Sequence, residues 1–230
     1  MKTHATFSQL RRGHLEWTVS ASIIGWLVLL AAAWSYLTLH DFSTADETPH
    51  AMVTRWPSES RIARGAGRPT LLLFLHPKCP CSRATLRELE RVFANVPDNA
   101  TELFVVAPVP ADASDEWCDT FTVNAAQRLP NATLFVDRSG VEADRFGATV
   151  SGQLLLFDAA GRCQFAGGVT ASRGHEGANP GADGLVALLC NETREHCDFP
   201  AFGCQLCLPN ESTPKHQVAA NAVSTQAPHP

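Results

Sequence analysis

The strongest hydrophobic signal in the chain is an uncharged, almost wholly apolar stretch over residues 18–39. As a helix rising about 1.5 Å per residue, this stretch spans about 33 Å, which matches the hydrocarbon core of a bilayer. Lysine and arginine precede this stretch and acidic residues follow it. This charge distribution predicts that residues 1–17 lie in the cytoplasm and that the chain after the stretch lies outside the cytoplasm. The alternative is a cleaved signal peptide, with Ala31–Ala33 as its processing site.

After residue 40 the pattern changes to short apolar runs separated by turns and amphipathic segments. The run Leu71–Leu75 is typical of a strand buried on both faces, and residues 85–93 place their apolar positions on one helical stripe. Pro108 and Pro110 are expected to end the second strand. The further predicted elements are strands at Glu102–Ala107, Asn131–Asp137, Gly152–Phe157 and Cys163–Gly168, and a helix at Gly184–Cys190. Strands that alternate with helices before a closing hairpin predict an α/β fold, a mixed sheet flanked by helices.

The amino-acid composition indicates the compartment in which the domain lies. Eight cysteines favour an exported domain, because disulfides persist outside the reducing cytosol. A net charge of −5 without a basic patch argues against nucleic-acid binding. The predicted parts are a cytoplasmic tail (1–17), a transmembrane helix (18–39), a linker (40–67), a globular domain (68–190), a Cys-rich extension (191–209) and a disordered tail (210–230). We expect a single-pass membrane protein whose globular domain lies in the periplasm or another extracytoplasmic space.

Candidate chemistry lies at Cys79 and Cys81, which flank Pro80 where the first strand gives way to a helix. The unpaired N–H groups and positive dipole end of a helix N-terminus stabilise a thiolate. Thiolates attack disulfides and bind soft metals. A disulfide between two cysteines this close along the chain closes a small ring, and strained disulfides are the labile ones. The sequence therefore predicts a catalytic redox pair at Cys79 and Cys81.

The stretch Phe74–Arg83 resembles the Phe-Trp-Ala-x-Trp-Cys-x-x-Cys-Arg motif of the thioredoxin superfamily. Over about residues 60–190 the chain is similar to membrane-anchored, exported thioredoxin-like proteins of the RedB type. The stretch Gly167–Gly177 also resembles the pattern of these proteins. The resemblance implies a thioredoxin-like fold and thiol–disulfide exchange with exported protein disulfides or a redox partner protein. Cys79 falls on the attacking cysteine of the family and Arg83 on its arginine.

Two departures from the family pattern change the expected site. Ser82 stands where the family has its resolving cysteine, so the second thiol, Cys81, lies one residue closer. Gly152 stands where thioredoxins place a cis-proline facing the active-site sulfur. The missing proline would alter substrate docking at the adjacent strand edge and leave room for a metal ion.

Two histidines are candidates for supporting the site. His76 lies three residues before Cys79 and could tune its pKa, and His175 lies in a Gly-rich loop that could fold back over the cysteines. The leading interpretation needs no cofactor or metal. Its rival is a thioredoxin-fold metallochaperone that holds Cu(I) through Cys79, Cys81 and His76. A noncatalytic membrane scaffold is the third class, and in each case residues 18–39 contact lipid.

The remaining six cysteines are candidates for structural disulfides. Cys118 and Cys163 either pair with each other or stay unpaired. The other four form a C-terminal group, Cys190, Cys197, Cys204 and Cys207. This group predicts a disulfide-stapled lobe with three possible pairings. A zinc site of four thiolates is an alternative for this group. A second redox pair, Cys204 with Cys207, that relays electrons to the first is another.

Overall fold

The computed structural model describes residues 4–42, 53–65, 67–192 and 197–206, in two compact units, Met1–Ser43 and Thr44–Pro230. The first unit is a single helix, α1 (His4–Phe42). Within it Trp17–His40 is long and apolar enough to cross a membrane, which fits a single-pass anchor. The side of the membrane on which residues 1–17 lie stays a prediction.

The second unit is one mixed sheet with helices on both faces. Its strands are β1 (Thr70–Phe74), β2 (Glu102–Val109), β3 (Ala132–Arg138), β4 (Gln153–Phe157), β5 (Cys163–Gly167) and β6 (Cys197–Asp198). Its helices are α2 (Ser82–Ala94), α3 (Phe121–Ala126), α4 (Val141–Arg145) and α5 (Pro180–Leu189), with a 3₁₀ turn at Asp115–Cys118.

The strand order is β3-β2-β1-β4-β5-β6. β1, β2 and β3 run parallel, β4 is antiparallel to β1, and β5 is antiparallel to β4. A central β1 followed by a helix, with a parallel pair on one side and an antiparallel hairpin on the other, is the thioredoxin-like arrangement. The fold class predicted from the sequence is confirmed.

β1 lies between two hydrophobic cores, one on each face of the sheet, and contributes residues to both. Leu71 and Leu73 belong to the core that also contains residues of α2, α3 and α5, and Leu72 and Phe74 belong to the core on the α4 face. All five strand residues are buried, as the unbroken apolar run predicts. This burial fixes the carboxyl end of β1, from which the loop to Cys79 starts.

The structure differs from the predicted elements in β2. This strand continues through Pro108, which pairs with Asp137 of β3. On the other side of β2, β1 ends its pairing at Val106, so Pro108 has a strand neighbour on one side only. A proline without an N–H fits such an edge position.

Two segments outside the predicted globular domain pack against it. Residues 53–65, predicted as linker, place Trp56 and Ile62 against the α4-side core, and Cys163 donates its N–H to Thr54 O at 2.9 Å. Residues 197–206, predicted as a separate extension, add the short strand β6 in parallel to β5 and then pair with residues 149–151. The predicted disordered tail 210–230 lies outside the described residues.

Candidate active site

Cys79 lies in the loop between β1 and α2, directly before the first turn of α2. Its N–H donates to His76 O at 3.0 Å, and Cys81 is the N-cap residue of the helix. The N–H and the hydroxyl of Ser82, the first helical residue, both hydrogen-bond to the Cys79 sulfur. The side chain is nonetheless covered, with 1% of the residue exposed. The sulfur therefore faces the donors of a helix start, as predicted, but within the protein.

A chain of hydroxyl groups leads from the backbone to this sulfur. His76 N–H donates to Ser151 Oγ at 2.8 Å, and Ser151 Oγ lies 2.7 Å from Ser82 Oγ. Each hydroxyl carries one proton. When Ser82 donates its proton to the Cys79 sulfur, its oxygen can accept the proton of Ser151. Both serines are 1% exposed, so water does not compete for these hydrogen bonds.

The third member of the site is Cys204, whose Sγ lies 3.0 Å from Cys79 Sγ. The two residues are far apart in sequence and are brought together by backbone pairing of residues 204–206 with residues 149–151. Ser151 N–H donates to Cys204 O and Leu206 N–H donates to Thr149 O, each at 2.8 Å. Together with Cys81, three thiol sulfurs lie within 4.8 Å of one another.

The three thiols differ in acidity. Burial raises the pKa of Cys79, but the hydrogen bonds from Ser82 and Cys204 outweigh it and lower the pKa from 9.0 to about 7. Burial raises the pKa of Cys204 to about 12, with further contributions from the hydrogen bond and the charge of Cys79. Burial and the neighbouring Cys79 likewise raise the pKa of Cys81, against the opposing charge of Arg173. The first negative charge of the cluster therefore rests on Cys79.

Ser82→Ala tests the origin of this acidity. A hydrogen bond to a charged group contributes about 1.5–3 kcal/mol, so its loss is expected to raise the pKa of Cys79 by about one pH unit or more. The measurement is the rate of iodoacetamide alkylation against pH. In the wild type the rate should rise with pH and level off above about 7 rather than above 9.0, because the thiolate is the reactive form.

The matched control for Ser82→Ala is Ser172→Ala. Ser172 is also a buried serine, but its hydroxyl bonds to His175 Nδ1 at 2.8 Å. Its removal should leave the alkylation profile of Cys79 unchanged. An unshifted profile in Ser82→Ala would show that the serine does not hold the thiolate.

Gly152 occupies the position before β4 with φ +93°. Proline holds φ near −65°, so it cannot take this conformation. Gly152 N–H donates to Phe74 O at 2.8 Å, and an added Cβ would lie 2.8 Å from Thr85 Oγ1. The glycine therefore lets the chain pass close to the first turn of α2 beside the sulfurs.

The other predicted supporting residues lie around the cluster rather than in it. His76 accepts a hydrogen bond from Lys78 N–H on Nδ1, and burial, followed by the charge of Lys78, lowers its pKa. It is not part of the three-sulfur group, so the Cys79, Cys81, His76 copper set is replaced there by three cysteines. The Arg83 guanidinium lies 5.5 Å from the centre of the Phe121 ring, and Pro80 O accepts the Arg83 N–H at 3.4 Å.

The Gly-rich loop does reach the site, but through Arg173 rather than His175. The Arg173 guanidinium donates to Gly203 O, next to Cys204, and its charge lowers the pKa of Cys81 and Cys204. His175 instead bonds within its own loop, to Ser172 and Arg173 O. The only sequence signal for a role of Arg173 was its place in the Gly-rich stretch that follows β5.

The other cysteines whose side chains the structure describes, Cys118, Cys163 and Cys190, are not part of the three-sulfur group. Cys118 is a free thiol, so no disulfide joins it to Cys163, whose Sγ donates to Phe165 O at 3.3 Å and whose pKa burial raises to about 12. Cys190 is exposed at the end of α5, with Sγ 3.8 Å from Asn95 O. The side chain of Cys197 and the whole of Cys207 lie outside the described residues, so the predicted C-terminal pairings, zinc site and second redox pair stay predictions.

No protein-family model matches the chain, and no curated protein matches it. Among solved structures, an uncharacterized conserved protein from Geobacillus kaustophilus aligns at 19% identity over 61% of this chain and 77% of that chain, with a TM-score of 0.47. A hypothetical protein from Sinorhizobium meliloti 1021 aligns at 21% identity over 62% and 80%, with a TM-score of 0.48. A secreted Mycobacterium tuberculosis disulfide oxidoreductase aligns at 21% identity over 55% and 83%, with a TM-score of 0.37. These likenesses concern the fold alone.

Proposed function

We propose that the protein is a membrane-tethered thiol–disulfide oxidoreductase of the RedB type that acts on exported proteins. The proposal depends on one observation, the clustering of two further thiols within 4.8 Å of Cys79 at the start of α2, where hydrogen bonds lower the pKa of Cys79 to about 7. A stabilised thiolate beside a second thiol is the arrangement that thiol–disulfide exchange requires. Cys79 and a second thiol of the cluster close a disulfide, which exchanges with thiols or disulfides of the substrate. The sequence predicts Cys81 as that second thiol.

The membrane part of the proposal is supported by α1. Its segment Trp17–His40 has the length and composition of a membrane span. The basic residues before it and the acidic residues after it favour a cytoplasmic N-terminus and a domain in the periplasm or its equivalent. Eight cysteines in the chain suit that oxidising space.

The midpoint potential of the full chain in detergent tests this function. We expect one reversible two-electron couple, with a potential less negative than the roughly −270 mV of thioredoxin, because donors to the Cys79 anion stabilise the reduced form. Cys79→Ser should remove the couple and Cys81→Ser shows whether the predicted pair forms it. Absence of any reversible couple in the wild type would contradict the proposal.

A second candidate function is Cu(I) binding, favoured by the three clustered sulfurs. Thiolates are soft ligands that suit Cu(I), and Cys204 supplies a third one that the sequence did not predict. Titration of the reduced full chain with Cu(I) against a competing chelator should then give one tightly bound ion, lost in Cys79→Ser. Equal Cu(I) affinity in the wild type and in Cys79→Ser would exclude this function.

A further inference from the structure

Cys204 is carried by a segment that is built into the domain. Residues 199–206, named here the exchange segment, are anchored at both ends. At one end Phe199 N–H donates to Ala166 O at 2.9 Å, and the Phe199 ring lies 5.6 Å from that of Phe165. At the other end Leu206 is 1% exposed and belongs to the α4-side core. The segment therefore holds its thiol at a defined place on the sheet.

Backbone contacts set the position of the Cys204 sulfur between these anchors. The segment pairs in antiparallel fashion with residues 149–151, through a bridge between Val150 and Gln205. Gly203 lies so close to this edge that an added Cβ would overlap the carbonyl oxygen of Ser151. The same edge leads into Gly152 and the hydroxyl chain of Ser151. Cys204 is thus presented to Cys79 from the strand edge beside the active site.

The two sulfurs of this pair differ in access. Cys79 is 1% exposed, whereas Cys204 is partly exposed. Solvent therefore reaches the Cys204 residue, while Cys79 is covered and has Cys204 of the exchange segment in contact with its sulfur. Since a disulfide bond is about 2.0 Å long, the 3.0 Å between the two Sγ atoms closes with about 1 Å of movement.

We propose that the disulfide that exchanges with substrate joins Cys79 to Cys204, and that Cys204 is the sulfur that forms the mixed disulfide. This inference rests on the proposed function and names its second thiol and its substrate-facing atom. Cys81, two residues from Cys79 in the chain, would close a small ring instead.

The exchange with a dithiol substrate balances as follows. A substrate thiolate, its proton lost to solvent, attacks Cys204 Sγ. The bond to Cys79 breaks and its electron pair stays on Cys79, where Ser82 and the helix start hold the anion. The second substrate thiol then attacks the substrate sulfur of the mixed disulfide, and its proton goes to the released Cys204. The substrate has lost two electrons and two protons, the protein has gained two electrons and one proton, and an external disulfide reverses the reaction.

Disulfide mapping of the full chain in detergent, oxidised with glutathione disulfide, tests this inference. Cleavage after Lys78 and Arg83 gives a peptide of residues 79–83 that contains Cys79 and Cys81 but not Cys204. We expect this peptide cross-linked to the peptide of residues 195–215 at Cys204, in the wild type and equally in Cys81→Ser, and not in Cys204→Ser. Because Cys197 and Cys207 lie on the same peptide, the cross-linked cysteine is located by fragmentation. In reduced Cys79→Ser the hydrogen bond and the charge of Cys79 no longer raise the pKa of Cys204. Glutathione disulfide should therefore react with Cys204, and glutathione should remain bound there because the sulfur that would displace it is missing.

The outcomes separate the inference from the proposed function. A disulfide only between Cys79 and Cys81, with glutathione trapped on Cys79 in Cys204→Ser, would overturn the inference and leave the function standing. No disulfide in the wild type, together with no effect of Cys79→Ser on exchange, would overturn both. Cys190→Ser, which removes an exposed thiol at the end of α5, is the control and should give the same cross-link between Cys79 and Cys204 as the wild type.

Discussion

Replacement of Cys79 by serine is expected to reduce disulfide exchange by at least about 100-fold, the scale of loss seen when a reacting nucleophile is removed. Cys79 is the thiol whose pKa is lowered to about 7, while the pKa values of Cys81 and Cys204 are raised. Without Cys79 the cluster loses the anion that the Ser82 donors hold, and no thiol is left 3.0 Å from Cys204 to displace a bound substrate. The measurement is an insulin-type disulfide reduction assay on the full chain with a thiol reductant.

The control for this loss is Cys190→Ser, which should exchange disulfides at the wild-type rate. Circular dichroism of both variants shows whether the fold is intact. If Cys79→Ser exchanges disulfides as fast as the wild type, the cluster is not the reacting centre. That result would favour the noncatalytic scaffold predicted as an alternative.

Gly203→Val is expected to uncover Cys79 and to raise its rate of alkylation about tenfold or more at pH 8, where the thiolate predominates. A side chain at residue 203 cannot fit against the carbonyl oxygen of Ser151, so the exchange segment must move away from residues 149–151. Overpacking of this kind costs about 1–3 kcal/mol in the free energy of unfolding. Alkylation with iodoacetamide followed by mass spectrometry measures the exposure, and urea unfolding measures the stability.

Gly65→Ala serves as the matched control for Gly203→Val. An added Cβ at residue 65 meets the flexible carboxylate end of Glu102, which can turn away, and not the exchange segment. Its alkylation rate should equal that of the wild type. An unchanged rate in Gly203→Val would mean that residues 199–206 do not control access to Cys79.

The fold was predictable from sequence because its central elements carry clear patterns. The run of leucines ending in Phe74 is buried on both faces, and the amphipathic residues 85–93 fall within α2. The change from strand to helix at Cys79 and Cys81 followed from these two patterns alone. Pro108 misled the prediction of β2, because whether a proline ends a strand depends on its neighbours in the sheet.

Cys204 could not be placed from sequence because the contact depends on tertiary pairing. The exchange segment has no regular hydrophobic period, and a two-residue strand such as β6 gives no recognisable pattern. The group of C-terminal cysteines to which Cys204 belongs was as typical of a disulfide-stapled lobe as of a site. The spaced apolar residues Phe199, Phe202 and Leu206 were the available signal that this segment packs against the domain.

Because a chain of hydroxyl groups ends at Cys79, the ionisation of this thiol should depend little on ionic strength. The anion is held by the neutral dipoles of Ser82 and Cys204, backed by Ser151 and a main-chain amide, and both serines are buried. Mobile ions screen exposed charges over about 10 Å at 0.1 M salt but act weakly on buried dipoles. Arg173, in contrast, acts on the other two sulfurs through its charge. The domain can therefore keep the Cys79 sulfur ionised in dilute and in salty surroundings alike.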